Sequence, residues 1–178
     1  MEPRSLKYIA GATAGELCNG LPETTVTRLC LDSRQTRAGD LFLALAGQRF
    51  DAHNFLPEVA RRGAAAVVAE RPKLPADFRG CAVIVVDSTR AALGRLGARY
   101  RRDFTLPVTA VGGSNGKTTT KELIASVLRQ KRTILWSEAN FNNEIGVPLT
   151  LLKLEHSHQA AVLEAGTNHP GELAPLLR

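Results

Sequence analysis

The segment from Val108 to about Gln130 constrains this chain more than any other. Val108-Thr109-Ala110-Val111 reads as a strand, Gly112-Gly113-Ser114-Asn115-Gly116 breaks it, and Lys117-Thr118-Thr119 opens a helix. A strand, a glycine-rich bend and a helix in that order make a cradle for an anion. Glycines let backbone N–H groups curl inward without Cβ clashes. The new helix adds the positive end of its dipole. Lys117 supplies a mobile charge for β- and γ-phosphates, and Thr118 a hydroxyl for Mg²⁺. Gly113, Ser114, Asn115, Gly116, Lys117, Thr118 and Thr119 are therefore read as a phosphate-binding loop for a nucleoside triphosphate, with ATP expected. Val111 stands where the longest form of this signature has a glycine, so the shorter form Gly-x-x-Gly-Lys-Thr is the one met.

The rest of the chain alternates strands with helices. Val26 to Leu31 is β-like, and Asp40 to Leu45, Ala64 to Ala69 and Ala82 to Val86 read as buried strands. Phe55 to Arg62 reads as a short helix stopped by Gly63, and Arg71 to Pro75 as a loop. Ser88 caps a helix to about Arg102 with Ala92, Leu93, Leu96 and Tyr100 on one face. After the phosphate loop, Leu123, Ile124, Val127 and Leu128 are the expected buried stripe of its helix, and Thr133 to Trp136 and Ala160 to Glu164 the next strands.

The class is α/β. A small N-terminal α/β substrate-binding module over residues 1–88 precedes the first part of a P-loop ATPase-type parallel sheet domain over 89–178. About three strands are too few to complete such a sheet, so a truncated protein is expected.

An apolar content of 44% against 22% charged residues supports packed cores. The net charge of +6 is scattered, and Arg95, Arg99, Arg101 and Arg102 read as a solvated helix face. With 5% aromatics there is little to stack bases, so nucleic-acid binding is not expected. Cys18, Cys30 and Cys81 have no metal or redox spacing and are expected as small buried residues. No apolar run approaches a membrane span, and no basic start precedes an apolar stretch. A cytoplasmic protein without membrane insertion is expected.

Val111 to Glu122 resembles the ATP loop of the Mur ligases. Asn140-Phe141-Asn142-Asn143-Glu144-Ile145-Gly146 and Glu164-Ala165-Gly166-Thr167-Asn168-His169-Pro170-Gly171 are similar to further stretches of that family. Asp32-Ser33-Arg34, Gly39-Asp40-Leu41-Phe42 and Phe50-Asp51-Ala52-His53-Asn54-Phe55 resemble its uridine-nucleotide module. Gly112 and Ala52 depart from the usual residues without removing a charged group. The resemblance implies ATP-driven peptide-bond formation through an acyl phosphate, joining D-alanyl-D-alanine to UDP-MurNAc-tripeptide, by a monomer.

On that reading Lys117 and Asn143 are the catalytic candidates, and Asn143 is chosen over Asn140 and Asn142 for the phosphoryl group. Thr118 and Glu164 are the Mg²⁺ candidates. Glu164 ends an apolar run, and the C-terminal ends of strands are where α/β sheets place ligands. Ser33, Arg34, Asp51 and His53 are the candidates for the uridine substrate, Arg34 through bidentate phosphate contact. His169 is open between substrate contact and a loop cap. Rival readings are another Mur-type amino acid ligase, a nucleotide-binding fragment without catalysis, and a basic nucleic-acid-binding P-loop protein. No turnover is expected from these 178 residues alone. Phosphate release with all substrates present checks this, and steady ligation would refute it.

Overall fold

The structure, a computed structural model, describes residues 1–47, 50–139 and 141–166. The chain divides into two compact units, Met1–Leu96 and Gly97–Arg178. The division falls inside a helix, a little beyond the 88/89 boundary expected from sequence.

The first unit is built on a five-stranded sheet. Strand β2 (Glu16–Asn19) lies at one edge, followed by β7 (Ala82–Val86), β6 (Ala66–Glu70), β5 (Leu41–Leu43) and β4 (Leu29–Cys30). The last four run parallel, and β2 pairs antiparallel with β7. Strands β5 and β7 are buried at every residue, which is why their sequences are continuous apolar runs. Helix α1 (Leu6–Thr13) starts where the Ser5 hydroxyl accepts the Tyr8 N–H at 3.2 Å, and buries Leu6, Ile9 and Ala10. Helix α2 (Leu56–Arg61) begins with Pro57 in its first turn and packs Leu56 and Val59 against Phe42, Val67 and Val83.

The expected strand over Val26 to Leu31 is two shorter ones. β3 (Thr25–Val26) pairs with β1 (Arg4–Ser5), while β4 joins the large sheet. Between them Arg28 turns aside to hold the buried Asp40 carboxylate. Its Nε donates to Oδ1 at 2.7 Å and a terminal nitrogen to Oδ2. A paired carboxylate at the start of β5 outweighs strand continuity here.

The second unit carries a three-stranded parallel sheet in the order β8 (Val108–Val111), β10 (Ala160–Glu164), β9 (Ile134–Trp136). Helix α3 (Thr89–Arg101) spans the division between units. Its Tyr100 is fully buried, donates its hydroxyl to the Leu154 carbonyl at 2.8 Å and packs on Phe104. Helix α4 (Lys117–Leu128) lies against the sheet, and the short α5 (Gly146–Leu151) packs against β10.

Two sequence expectations are corrected. On α4, Leu123 and Val127 stay 62% and 70% exposed, and Ile124 and Leu128 are half-buried. Lys121 and Ala125 face inward instead. On that inward face the Thr118 hydroxyl meets Glu164 and the Lys121 ammonium meets the Ser137 carbonyl. Of the cysteines, Cys30 is buried and Cys81 half-buried, its thiol pushed up to about 11 by burial. Cys18 is exposed, because β2 is an edge strand with little cover.

Two glycines of α3 make a paired test. A Cβ on Gly97 would meet Pro148 Cβ at 2.8 Å and its Cα at 2.9 Å, whereas one on Gly94 meets nothing within 4 Å. Gly97→Ala is expected to destabilise by about 1–3 kcal/mol through overpacking. Gly94→Ala is expected to stabilise by about 0.5–1 kcal/mol through helix propensity. Urea unfolding of the two variants checks the opposite signs.

Candidate nucleotide-binding site

The sheet register builds this site. β10 runs parallel to β8 with Glu164 opposite Val111, the last residue before the glycine-rich bend. A carboxylate and a phosphate-type loop therefore emerge side by side at the C-terminal edge of the sheet. Gly113 and Gly116 adopt φ of +135° and +74°, values that side chains rarely tolerate, and these turn the chain into α4. Among the described residues the backbone amides from Ser114 to Thr119 make no backbone hydrogen bond, and pairing resumes with Thr120 N–H to the Gly116 carbonyl at 2.9 Å. These free donors sit at the head of a helix of 12 residues. The Lys117 ammonium reaches back to the Gly113 carbonyl at 2.8 Å, so it stands over the loop.

Glu164 is 1% exposed. Its Oε2 accepts the Thr118 hydroxyl at 2.9 Å, and its Oε1 accepts the Asn142 amide at 2.8 Å. The loop from Ser114 to Thr119, with Asn142 and Glu164, lines a groove of about 540 Å³. Both oxygens of this buried carboxylate thus meet neutral donors, and no cation pairs with it among the described residues. Burying an unpaired charge is costly, so the arrangement suits a cation. A hydroxyl and a carboxylate oxygen within 2.9 Å are hard oxygen donors of the kind Mg²⁺ takes. Among the described residues no group of three His, Cys, Asp or Glu could hold a metal.

Asn143, the candidate chosen from sequence, is turned to a local contact. Asn143 turns its carboxamide oxygen to the N–H groups of Ile145 and Gly146, at 3.1 and 2.8 Å, and so starts α5. Asn142 is the one that lines the groove. Its position depends on two close approaches. A Cβ on Gly146 would lie 2.4 Å from Phe141 Cα, and one on Gly166 2.8 Å from the Asn142 carboxamide. Local sequence carries no signal that separates three nearby asparagines. Asn140 and His169 lie outside the described residues.

The first unit holds the other four candidates. Ser33 opens a 3-10 turn that Asp32 caps, and Arg34 is 83% exposed with its guanidinium paired to Asp32 at 2.9 and 2.8 Å. Arg34 holds the Asp32 carboxyl down at about 2. His53 is buried and fully engaged. Its Nδ1 lies 2.5 Å from Asp51 and its Nε2 accepts the Glu70 N–H at 3.0 Å. Lys73 bridges Asp51 and Glu70 at 3.1 and 2.9 Å. The structure therefore gives Asp51 and His53 a building role, tying their turn to the end of β6, while Ser33 and Arg34 remain at the surface.

The family models for the Mur ligase family catalytic domain and the Mur ligase middle domain match residues 25–101 and 111–178. The chain belongs to the Mur ligase family. It is 44% identical over 151 residues to the UDP-N-acetylmuramoyl-tripeptide–D-alanyl-D-alanine ligase of Synechocystis, covering 85% of this chain and 33% of that protein. To the Bacillus subtilis protein of the same name it is 40% identical over 179 residues, covering 100% of this chain and 39% of that one. The crystal structure of MurF from Acinetobacter baumannii superposes with a TM-score of 0.91 at 42% identity, over 99% of this chain and 38% of that one. A MurF ligase from Thermotoga maritima, solved in complex with ADP, superposes at 0.77 with 36% identity, over 85% and 34%. A 2,6-diaminopimelate ligase at 19% identity and TM-score 0.59 shares the fold alone. The chain spans little more than a third of the length of the curated relatives it matches. Among the described residues no helix is long and apolar enough to cross a membrane.

Burial works to raise the Asp51 pKa, but hydrogen bonds from the His53 backbone and ring and from Lys73 overcome it, leaving the carboxyl at about 2. A depressed carboxyl stabilises above its ordinary value and loses that contribution as pH falls through the folded value. Stability on the order of 1–2 kcal/mol is therefore expected to vanish between about pH 4 and pH 2. Asp51→Asn should remove that part of the acid limb, as read from urea midpoints between about pH 2 and 6.

Proposed function

We propose that this chain supplies the uridine-substrate module and the ATP-phosphate loop of a ligase joining D-alanyl-D-alanine to UDP-MurNAc-tripeptide in peptidoglycan precursor synthesis. The observation that carries the reading is Thr118 beside Glu164, at a glycine-rich loop whose amides make no backbone hydrogen bond among the described residues. The names of the relatives supply the substrates.

A carboxylate is a poor electrophile because its leaving group would be oxide. Attack of the tripeptide carboxylate on the γ-phosphorus of ATP breaks the bond to the β-phosphate oxygen, giving ADP and an acyl phosphate. The free amine of D-alanyl-D-alanine then attacks the acyl carbon and inorganic phosphate leaves. The protein's share is placement and charge neutralisation. The amides of Ser114 to Thr119 cradle the phosphates. Lys117 swings from the Gly113 carbonyl to the migrating phosphoryl group. Thr118 and Glu164 would hold Mg²⁺, which supplies charge neutralisation of the β- and γ-phosphates. Asn142 holds Glu164 in place, and we assign it the position in the groove that sequence gave to Asn143. Ser33 and Arg34 contact the uridine diphosphate, on a turn that Asp32 organises. Action as a monomer in the cytoplasm fits this role.

A chimera tests the reading. Residues 1–178 replace the matching segment of the Bacillus subtilis relative. ATP-dependent addition of D-alanyl-D-alanine, in preference to meso-diaminopimelate, is the expected result. A folded chimera that forms no product would overturn it. On the chain itself, Lys117→Ala is expected to weaken ATP binding about 10–100-fold by calorimetry, the worth of a charge-assisted phosphate contact.

A further inference from the structure

Lys121 is fully buried, and nothing in the chemistry above uses it. A lysine rarely loses all contact with water unless its charge is spent on specific partners. It stands one turn after Thr118 on α4, so both side chains point toward the sheet. Its ammonium donates to the Ser137 carbonyl at 2.7 Å and pairs with Glu122 at 2.8 Å. Ser137, also fully buried, follows β9 directly. Its N–H donates to the Val162 carbonyl at 3.0 Å, and its hydroxyl oxygen accepts the Glu164 N–H at 3.0 Å.

The contacts form one line. Lys121 grips the Ser137 carbonyl, Ser137 grips the backbone of β10 on both sides of Leu163, and Glu164 at the end of that strand meets Thr118. Both ends of the line are on α4, so the closed circuit fixes the distance between the Thr118 hydroxyl and the Glu164 carboxylate. We propose that Lys121 is a positioning residue, which acts through Ser137 to hold Glu164 and Thr118 at the separation a divalent cation on a bound triphosphate requires. The proposal rests on the nucleotide-site reading. It gives a role to a buried lysine outside the groove.

The test measures affinity for ATP on the full 178-residue chain, in excess Mg²⁺ and in excess chelator. The wild-type chain should bind more tightly with Mg²⁺. Lys121→Met keeps the stem and removes the charge, and thermal unfolding should show it still folded. Its Mg²⁺-dependent gain should fall about 10–100-fold, or vanish, while affinity in chelator stays within about twofold of wild type, as expected of a group behind a metal ligand. A filler of space would alter both affinities or neither. Should Lys121→Met not fold, Ser137→Ala decides, since it removes the acceptor of the Glu164 N–H and should cut the same gain. A full Mg²⁺-dependent gain in a folded Lys121→Met, or in Ser137→Ala where that variant decides, overturns the proposal alone. A wild-type chain indifferent to Mg²⁺ overturns the nucleotide-site reading, and this proposal with it.

Discussion

Parallel pairing of β8 with β10 is the constraint on which the second unit depends. It sets Glu164 level with Val111, and so beside the loop that starts one residue later. Local sequence cannot accomplish this, since 46 residues separate Thr118 from Glu164. Once the register is set, the hydroxyl and the carboxylate meet. The glycines then need only turn the chain so that its amides face the same space.

That arrangement runs against ordinary packing preferences. A buried carboxylate and a buried lysine occupy positions where apolar side chains would pack without penalty. Such exceptions gather at functional sites, where placement of charge matters more than the last increment of stability. The first unit follows the same logic more mildly. The Asp51–His53–Glu70–Lys73 cluster lies at the end of β6, and its polar groups satisfy one another. The surface turn with Ser33 and Arg34 is organised separately by Asp32.

Much of the fold was legible because it rests on short-range rules. Strands β5, β6 and β7 announce themselves as apolar runs, since parallel strands are covered on both faces. Helix α3 shows its buried face through Ala92, Leu93, Leu96 and Tyr100, all of which are buried. Other features depended on partners distant in sequence. The break between β3 and β4 follows from Arg28 reaching Asp40, and the inward face of α4 follows from Ser137 and Glu164. The family resemblance, not the local sequence, offered His53 as a substrate contact. The Glu70 N–H that occupies its second nitrogen lies 17 residues away.

Sequence by itself determined the chemistry on offer: a glycine-rich bend before a helix, a lysine and a threonine at its head, and an acidic residue ending an apolar strand. Each is a local pattern, whose physical meaning is carried by neighbours within a few residues. Tertiary structure decided which groups meet. It placed Asn142 rather than Asn143 at the groove, turned Lys121 inward, and brought Glu164 to Thr118. Those choices depend on strand register and on close glycine contacts, which couple positions far apart along the chain and leave no periodic trace within it.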